Sequence, residues 1–137
     1  MGRIVSVPHL IDALRALDGA PWRTGGRSRE GVDCVGLVIV ALRDIGVQVR
    51  NDVFGYTWRL GAGVLERELQ ASGLVARAEQ PLQAGDLCAL AIYGVPRHVC
   101  VMLDETTMIH ATAQTGVRIV PMSPLWRDRI ASVWRWL

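Results

Sequence analysis

The stretch Asp33-Cys34-Val35-Gly36-Leu37-Val38-Ile39-Val40-Ala41-Leu42 decides how this chain folds. Apolar or small residues fall at positions 34, 37, 38, 41, 42 and 45, which is the spacing of a helix with one packed face. Asp33 is a favoured type of N-cap residue, and Gly46 is a natural helix terminator. The sequence therefore predicts a buried helix over residues 34–46 that begins at a cysteine.

The position of Cys34 at a helix start permits two interpretations. A helix N-terminus stabilises negative charge, so it lowers the pKa of a thiol and favours the reactive thiolate. A cysteine at such a position can also be a small buried hydrophobic residue. The helix pattern alone favours the second interpretation, so the choice depends on residues further along the chain.

Two of the three histidines of the chain change that balance. His98 follows a turn signal at Gly94–Arg97 and starts an apolar run, and His110 ends a second short run twelve positions later (110 − 98). The runs predict two neighbouring strands, with His98 near the start of the first and His110 in the middle of the second. A cysteine, a histidine and a further polar group are the parts of an activated thiol. Cys34, His98 and His110 are therefore the candidate nucleophile, base and orienting residue.

These motifs resemble the NlpC/P60 family of cell-wall cysteine peptidases. The family's nucleophile motif, Asp-Cys-Ser-Gly-Leu-Val, is similar to the hexapeptide at 33–38. Four further similarities follow the family's order: Pro-Tyr-x-x-Gly-Gly with Pro21–Gly26, Gly-Asp with Gly85-Asp86, His-Val-Gly-Ile with His98–Val101, and Phe-Ile-His-Ala with Met108–Ala111. The resemblance covers about residues 10 to 137, nearly the whole chain.

The resemblance implies a fold and an activity for a single catalytic domain over residues 1–137. The fold would be α+β and papain-like, with N-terminal helices on one face of a C-terminal antiparallel sheet of about five strands. The reaction would be hydrolysis of an amide in a peptidoglycan stem peptide, between D-γ-glutamate and a diamino acid. Cys34, His98 and His110 would carry it, and no metal or organic cofactor would be needed.

The sequence departs from the family's pattern at two positions near the nucleophile. Trp22 stands where the family usually has tyrosine, and an indole cannot replace a phenol hydroxyl at the same point. Val35 replaces the serine that, with the preceding aspartate, helps some members bind a free substrate amino terminus. Asp33, Trp22 and Val35 are accordingly the candidate substrate-binding residues.

A narrower resemblance covers the C-terminal third of the chain. Residues 108–135 are similar to the small peptidases of phage tails and gene transfer agents, which help a tail tip through peptidoglycan. This similarity implies other tail proteins as partners. The N-terminus reads Met1-Gly2-Arg3-Ile4-Val5-Ser6-Val7-Pro8 and carries no signal-peptide pattern. We therefore expect synthesis in the cytoplasm and, after assembly into a phage-like tail, action in the periplasm or cell wall.

The composition of the chain argues against several other classes of protein. Half of the 137 residues are apolar, which predicts a folded domain, and no apolar run approaches the roughly 20 residues of a membrane span. The net charge of +2, without basic runs interleaved with aromatic residues, does not predict nucleic-acid binding. Three cysteines without a signal peptide argue against a disulfide framework. A zinc site built from Cys34, His98 and His110 is the alternative use of the same side chains.

Periodicity and turn residues predict the remaining elements. Helices are expected at 8–18, 34–46 and 62–72, a loop at 20–32, and strands at 86–93, 98–104, 107–113, 116–121 and 131–137. Residues 47–60 are expected to be irregular. Phe54, Tyr56 and Trp58, at alternating positions within them, would either pack on the core or form a wall of the substrate cleft.

Two functional alternatives stay open at this point. The chain could be a tail-tip structural protein that keeps the fold with weak or no activity. The same three residues could also support an amidase or an acyltransferase.

Overall fold

A computed structural model describes residues 4–49 and 63–137 of the chain. The helices within them are α1 (Val7–Arg15), α2 (Cys34–Asp44), α3 (Val64–Ala71) and α4 (Pro124–Arg127). A small hairpin consists of β1 (Arg27–Ser28) and β2 (Gly31–Val32). The main sheet consists of β3 (Val75–Ala78), β4 (Leu87–Ile92), β5 (Val95–Met102), β6 (Thr107–Thr112), β7 (Gly116–Pro121) and β8 (Ile130–Trp136). The prediction that Phe54, Tyr56 and Trp58 pack on the core or form a wall of the cleft concerns residues outside the described ranges.

The main sheet has the strand order β3-β8-β4-β5-β6-β7, and its neighbouring strands are antiparallel. The larger apolar cluster lies between one face of this sheet and the helices α1, α2 and α3. All nine residues at 34–42 of α2 are buried, so this helix is enclosed on every side rather than packed on one face. A smaller apolar cluster around Cys88, Cys100 and Met108 covers the opposite face of the sheet. This arrangement is the predicted α+β architecture.

One end of the sheet is closed by a buried ion pair. Asp86, just before β4, is fully buried, and its carboxylate accepts hydrogen bonds from Nε and Nη2 of Arg135 at 2.8 and 2.9 Å. The same carboxylate accepts a bond from the Gln83 N–H. A planar guanidinium matches a carboxylate in this two-bond geometry. We call this part of the sheet the closed end; the aspartate of the Gly85-Asp86 motif has a structural role there.

At the other end, which we call the open end, the sheet bends at Leu90. Leu90 pairs with His98 whereas Ala91 pairs with Pro96, so Arg97 is an extra residue on β5. A second register shift, between Ala89 and Leu90, affects the pairing of β4 with β8. Such bulges bend a strand and redirect its side chains.

The turn predicted at Gly94–Arg97 is shorter in the structure, because the bulged strand β5 already includes most of these residues. The chain turns at Tyr93 and Gly94, both with positive φ, and β5 already begins at Val95. Pro96 is tolerated inside the strand because it lies next to the bulge, where the ladder of hydrogen bonds is interrupted. His98 therefore lies in the middle of a strand and not near its start.

Several elements were not predicted. The sheet has six strands rather than about five, because β3 is a short, half-exposed edge strand of valine, alanine and arginine without an alternating pattern. The loop predicted at 20–32 contains the β1–β2 hairpin. Helix α4 is only four residues long, although Ser123 caps it and Pro124 opens it in the ordinary way. In the part of the chain that the structure describes, no helix is long and apolar enough to span a membrane.

Candidate active site

A cavity of about 120 Å³ lies at the open end of the sheet. The paired register of β5 and β6 covers only Val101 with Ile109 and Met102 with Met108, toward the closed end. The cavity lies beyond those pairs, beside the start of α2. The described residues that line it are Trp22, Cys34, Ile92, Arg97, His98, Ala111, Thr112, Ala113, Gln114 and Trp126. Two of the three predicted catalytic residues, Cys34 and His98, are among them.

Cys34 is the first residue of α2, and its position is fixed by Asp33. The Asp33 carboxylate accepts the Gly36 N–H through Oδ1 at 2.7 Å and the Gly25 N–H through Oδ2 at 3.0 Å. Arg27 adds an ion pair to Oδ1 at 2.8 Å. Cys34 is only 1% exposed, so access to its thiol depends on the cavity.

Two glycines allow the preceding loop to lie directly on α2. A Cβ atom added at Gly36 would stand 2.0 Å from the Gly26 carbonyl oxygen, and one added at Gly26 would stand 2.2 Å from the Gly31 carbonyl oxygen. Neither position can carry a side chain without moving backbone. The Gly-Gly and Cys-x-Gly motifs of the sequence are therefore needed for the close packing that places Cys34.

His98 and His110 form a buried pair. Nε2 of His98 lies 2.9 Å from Nδ1 of His110, which is hydrogen-bond distance. Burial, followed by the charge of His110, lowers the pKa of His98 to about 3, and burial lowers the pKa of His110 to about 4. Both imidazoles are therefore neutral near pH 7 in the protein without substrate, and His98 is ready to accept a proton.

Trp126 covers the histidine pair and is a site residue that sequence reasoning missed. Its ring centroid lies 5.9 Å from that of His98 and 5.2 Å from that of His110, and Arg129 stacks on it at 5.3 Å. The indole contributes to the burial that keeps the imidazoles neutral. Its signal in the sequence was weak, because a tryptophan after a Ser-Pro cap reads as ordinary packing.

The three candidate substrate-binding residues occupy different environments. Trp22 lines the cavity, and its indole Nε1 donates to the Thr24 hydroxyl at 3.3 Å. The Asp33 carboxylate is engaged in the cap, the loop and the Arg27 ion pair. Val35 is buried in the larger apolar cluster. Substrate contact by these residues stays a prediction.

The other two cysteines lie on the far face of the sheet, in the smaller apolar cluster. Cys88 and Cys100 are directly opposite each other on β4 and β5. The hydrogen bond with Cys88, together with burial, raises the pKa of Cys100 well above its ordinary value. The Cys100 thiol is therefore held in its protonated, unreactive form, and both cysteines are fully buried.

A larger cavity of about 300 Å³ lies between α2, α3 and the sheet. Its described lining is apolar apart from Gln48 and Ser72 and includes no cysteine, histidine or charged side chain. The smaller cavity is therefore the candidate active site. Among residues 4–49 and 63–137, no three metal-ligating side chains stand close enough together to hold a metal ion.

The sequence profile of the NlpC/P60 family matches residues 19–135. The chain belongs to the NlpC/P60 family. The resemblance predicted from the motifs is thereby confirmed.

Curated relatives of this NlpC/P60 chain are named as endopeptidases. It is 26% identical over 123 residues to the murein DD-endopeptidase MepS/murein LD-carboxypeptidase of Escherichia coli K12, covering 88% of the chain and 58% of that protein. It is 28% identical over 114 residues to the probable endopeptidase Rv2190c of Mycobacterium tuberculosis, covering 82% of the chain and 26% of that protein. The chain thus spans little more than half of the first relative and about a quarter of the second.

Solved structures support the predicted fold class. An NlpC/P60 family protein from Bacillus cereus superposes with a TM-score of 0.71 at 24% identity, over 97% of this chain and 41% of that one. RipD from M. tuberculosis, described as a non-catalytic NlpC/p60 domain protein adapted to peptidoglycan binding, superposes with a TM-score of 0.60 at 17% identity, over the whole of both chains. The fold therefore accommodates members with and without catalysis.

Proposed function

We propose that this protein is a cysteine peptidase that hydrolyses an amide bond in peptidoglycan stem peptides, between D-γ-glutamate and a diamino acid. One observation carries the proposal. Cys34 and His98 line the same cavity, and His98 is hydrogen-bonded to His110. Cys34 also lies at the N-terminus of a buried helix. These are the parts of a thiol nucleophile, its base and the residue that orients the base. The names of the curated relatives support the same substrate class.

In this mechanism the His98 ring nitrogens have separate tasks. Nε2 faces Nδ1 of His110 at 2.9 Å, so Nδ1 of His98 is the atom that takes the Cys34 proton. His98 then carries protons on both nitrogens and donates through Nε2 to His110. The thiolate attacks the scissile carbonyl, backbone N–H groups in the first turn of α2 bind the oxyanion, and His98 protonates the leaving amine. Water then releases the acyl group from Cys34.

The low pKa of His98 means that its imidazole is uncharged in the protein without substrate. Burial disfavours the charge on His98 until a nearby negative charge compensates it. The thiolate formed during attack provides that charge. We therefore propose that proton transfer accompanies substrate binding, when the cavity is filled and water is displaced.

The decisive experiment is digestion of purified peptidoglycan and of defined stem peptides, with product analysis by mass spectrometry. We expect a new free amine on the diamino acid, and no product from Cys34→Ala, which should stay folded because the change removes one small side-chain atom. A folded Cys34→Ala variant with near wild-type activity would refute the peptidase. A folded wild type that binds peptidoglycan without cleaving it would instead identify a non-catalytic member such as RipD is described to be.

The same digestion separates the remaining activities. Amidase action would release the peptide from the glycan, and an acyltransferase would give products joined to an added amine. The similarity of residues 108–135 to tail peptidases supports delivery by a phage-like tail, with other tail proteins as partners. Detection of the protein in purified particles tests that role, and its absence from all particle fractions would contradict it.

A further inference from the structure

We infer that Arg97 binds a carboxylate of the substrate beside the scissile amide and thereby selects the acidic form of the stem peptide. The inference rests on the proposed function and adds a specificity residue to it. It starts from the bulge that makes Arg97 the extra residue between the Leu90–His98 and Ala91–Pro96 pairs.

The bulge explains how two consecutive residues reach one cavity. In a regular strand the side chains of neighbouring residues point to opposite faces. Arg97 and His98 nevertheless both line the cavity. A bulge redirects a side chain in this way, and bulges of this kind concentrate next to active sites.

The charge in the cavity favours an anionic ligand. Along the part of the cavity wall that the structure describes, Arg97 is the one residue with a formal charge, because His98 is neutral and no aspartate or glutamate is present. Arg97 is half-buried, and its Nε atom is inaccessible to solvent. A guanidinium in such surroundings interacts strongly with a carboxylate, since water screens the pair only weakly.

The proposed substrate supplies carboxylates close to the scissile bond. An amide formed through the γ-carboxyl group of D-glutamate leaves its α-carboxylate free on the acyl side. In a peptide that ends at the diamino acid, that residue carries its own free carboxylate on the leaving-group side. Conversion of a carboxylate to a carboxamide removes its charge with little change in shape.

The test uses three matched stem peptides that end at the diamino acid: one with both carboxylates, one amidated at the glutamyl α-carboxyl and one amidated at the diamino-acid carboxyl. For wild type, kcat/KM should fall roughly 10- to 100-fold with one of the amidated peptides, as expected for a lost charged hydrogen bond. Arg97→Gln should lose a similar factor on the diacid and discriminate among the peptides no longer. The peptide that wild type rejects identifies which carboxylate is bound.

Two variants control for folding and for net charge. Arg97→Lys keeps the charge but not the two-bond geometry, so it should retain part of the preference. Arg67→Gln removes the same charge from the exposed side of α3 and should behave as wild type. If Arg97→Gln discriminates as wild type does, or if wild type treats all three peptides alike, Arg97 is not the carboxylate site.

Binding measurements separate this inference from the proposed function. Failure of wild type to cleave any of the peptides would refute the peptidase. Titration of Cys34→Ala and of Cys34→Ala/Arg97→Gln with the same peptides by calorimetry then tests Arg97 without turnover. If Cys34→Ala binds the diacid more tightly than the amidated peptides and the double variant does not, the carboxylate site is supported. If Cys34→Ala binds all three peptides with equal affinity, the carboxylate site is overturned.

Discussion

The two ends of the main sheet use buried polar groups in opposite ways. At the closed end, Asp86 is matched by two hydrogen bonds from Arg135, and the strands around it pair in register. At the open end, the strands bulge or part, and His98 and His110 are buried with each other as partners and with depressed pKa values. The first arrangement stabilises the fold, whereas the second keeps two imidazoles neutral, and one of them, that of His98, lines the same cavity as Cys34. Register shifts and neutral buried histidines thus occur together at the end where we propose the chemistry.

Thiol alkylation should show the largest contrast between the cavity and the rest of the protein. We expect brief alkylation near pH 6 to modify Cys34 first and to abolish activity in parallel, because Cys34 lines the cavity and His98 can take its proton when the reagent fills the cavity. Cys88 and Cys100 lie in an apolar cluster and should react slowly. Peptide mapping measures the order.

The Cys34→Ala variant is the control for the alkylation experiment, and its remaining cysteines should stay unmodified on the same time scale. Activity should also survive EDTA. Labelling of Cys88 or Cys100 before Cys34 would contradict the thiol mechanism. Loss of activity on chelation would also contradict it and would favour the alternative zinc site.

Substitution of the two histidines should give unequal losses of activity. His98→Ala removes the group that transfers protons in every turnover, so kcat/KM should fall about 10²- to 10⁴-fold. His110→Gln should cost much less, because the Gln carbonyl oxygen can still accept the hydrogen bond from His98 Nε2. Steady-state kinetics on one stem peptide compares them. Equal or reversed losses would mean that the roles of base and orienting residue are exchanged.

At the closed end the expected effect is on stability and not on catalysis. Asp86→Asn leaves Arg135 without its carboxylate and should lower the free energy of unfolding by about 3 kcal/mol, measured by denaturant titration. Glu66→Gln is the matched control, because its partner Arg77 is 60% exposed at 3.8 Å, and it should cost less than about 1 kcal/mol. kcat of the folded Asp86→Asn variant should stay near wild type; a large loss would show that the two ends are coupled.

Stability should also depend on pH, because the buried histidines titrate differently in the folded and unfolded chain. The pKa values of His98 and His110 lie below their ordinary 6.5, so between pH 6.5 and about 3 the unfolded chain binds more protons than the folded protein. The full stability is present above pH 6.5 and is lost as pH falls through that window, by roughly 2 kcal/mol for each histidine at pH 5. Thermal unfolding of wild type and of the His98→Gln/His110→Gln double variant between pH 7 and 4 measures this. Equal slopes would contradict the buried neutral pair.

The sequence by itself determined the parts of the fold that depend on neighbours in the chain. The spacing of apolar residues and the Asp33 cap predicted α2, which begins at Cys34 as expected. Apolar runs separated by turn residues predicted the five long strands of the sheet to within about three residues. Ordered motifs identified the family and proposed Cys34, His98 and His110. Each of these signals is local, because capping, periodicity and turn chemistry act over a few residues.

Only the tertiary structure decided what those residues do together. The bulge at Arg97 depends on how β5 pairs with β4, and the contact of Trp126 with both histidines depends on where a segment from the far end of the chain packs. The edge strand β3 forms because its backbone pairs with that of β8, which is distant in sequence. The neutral state of His98 follows from burial, which no single segment creates. Register, burial and contact between distant segments are properties of the folded chain, so no local pattern in the sequence could reveal them.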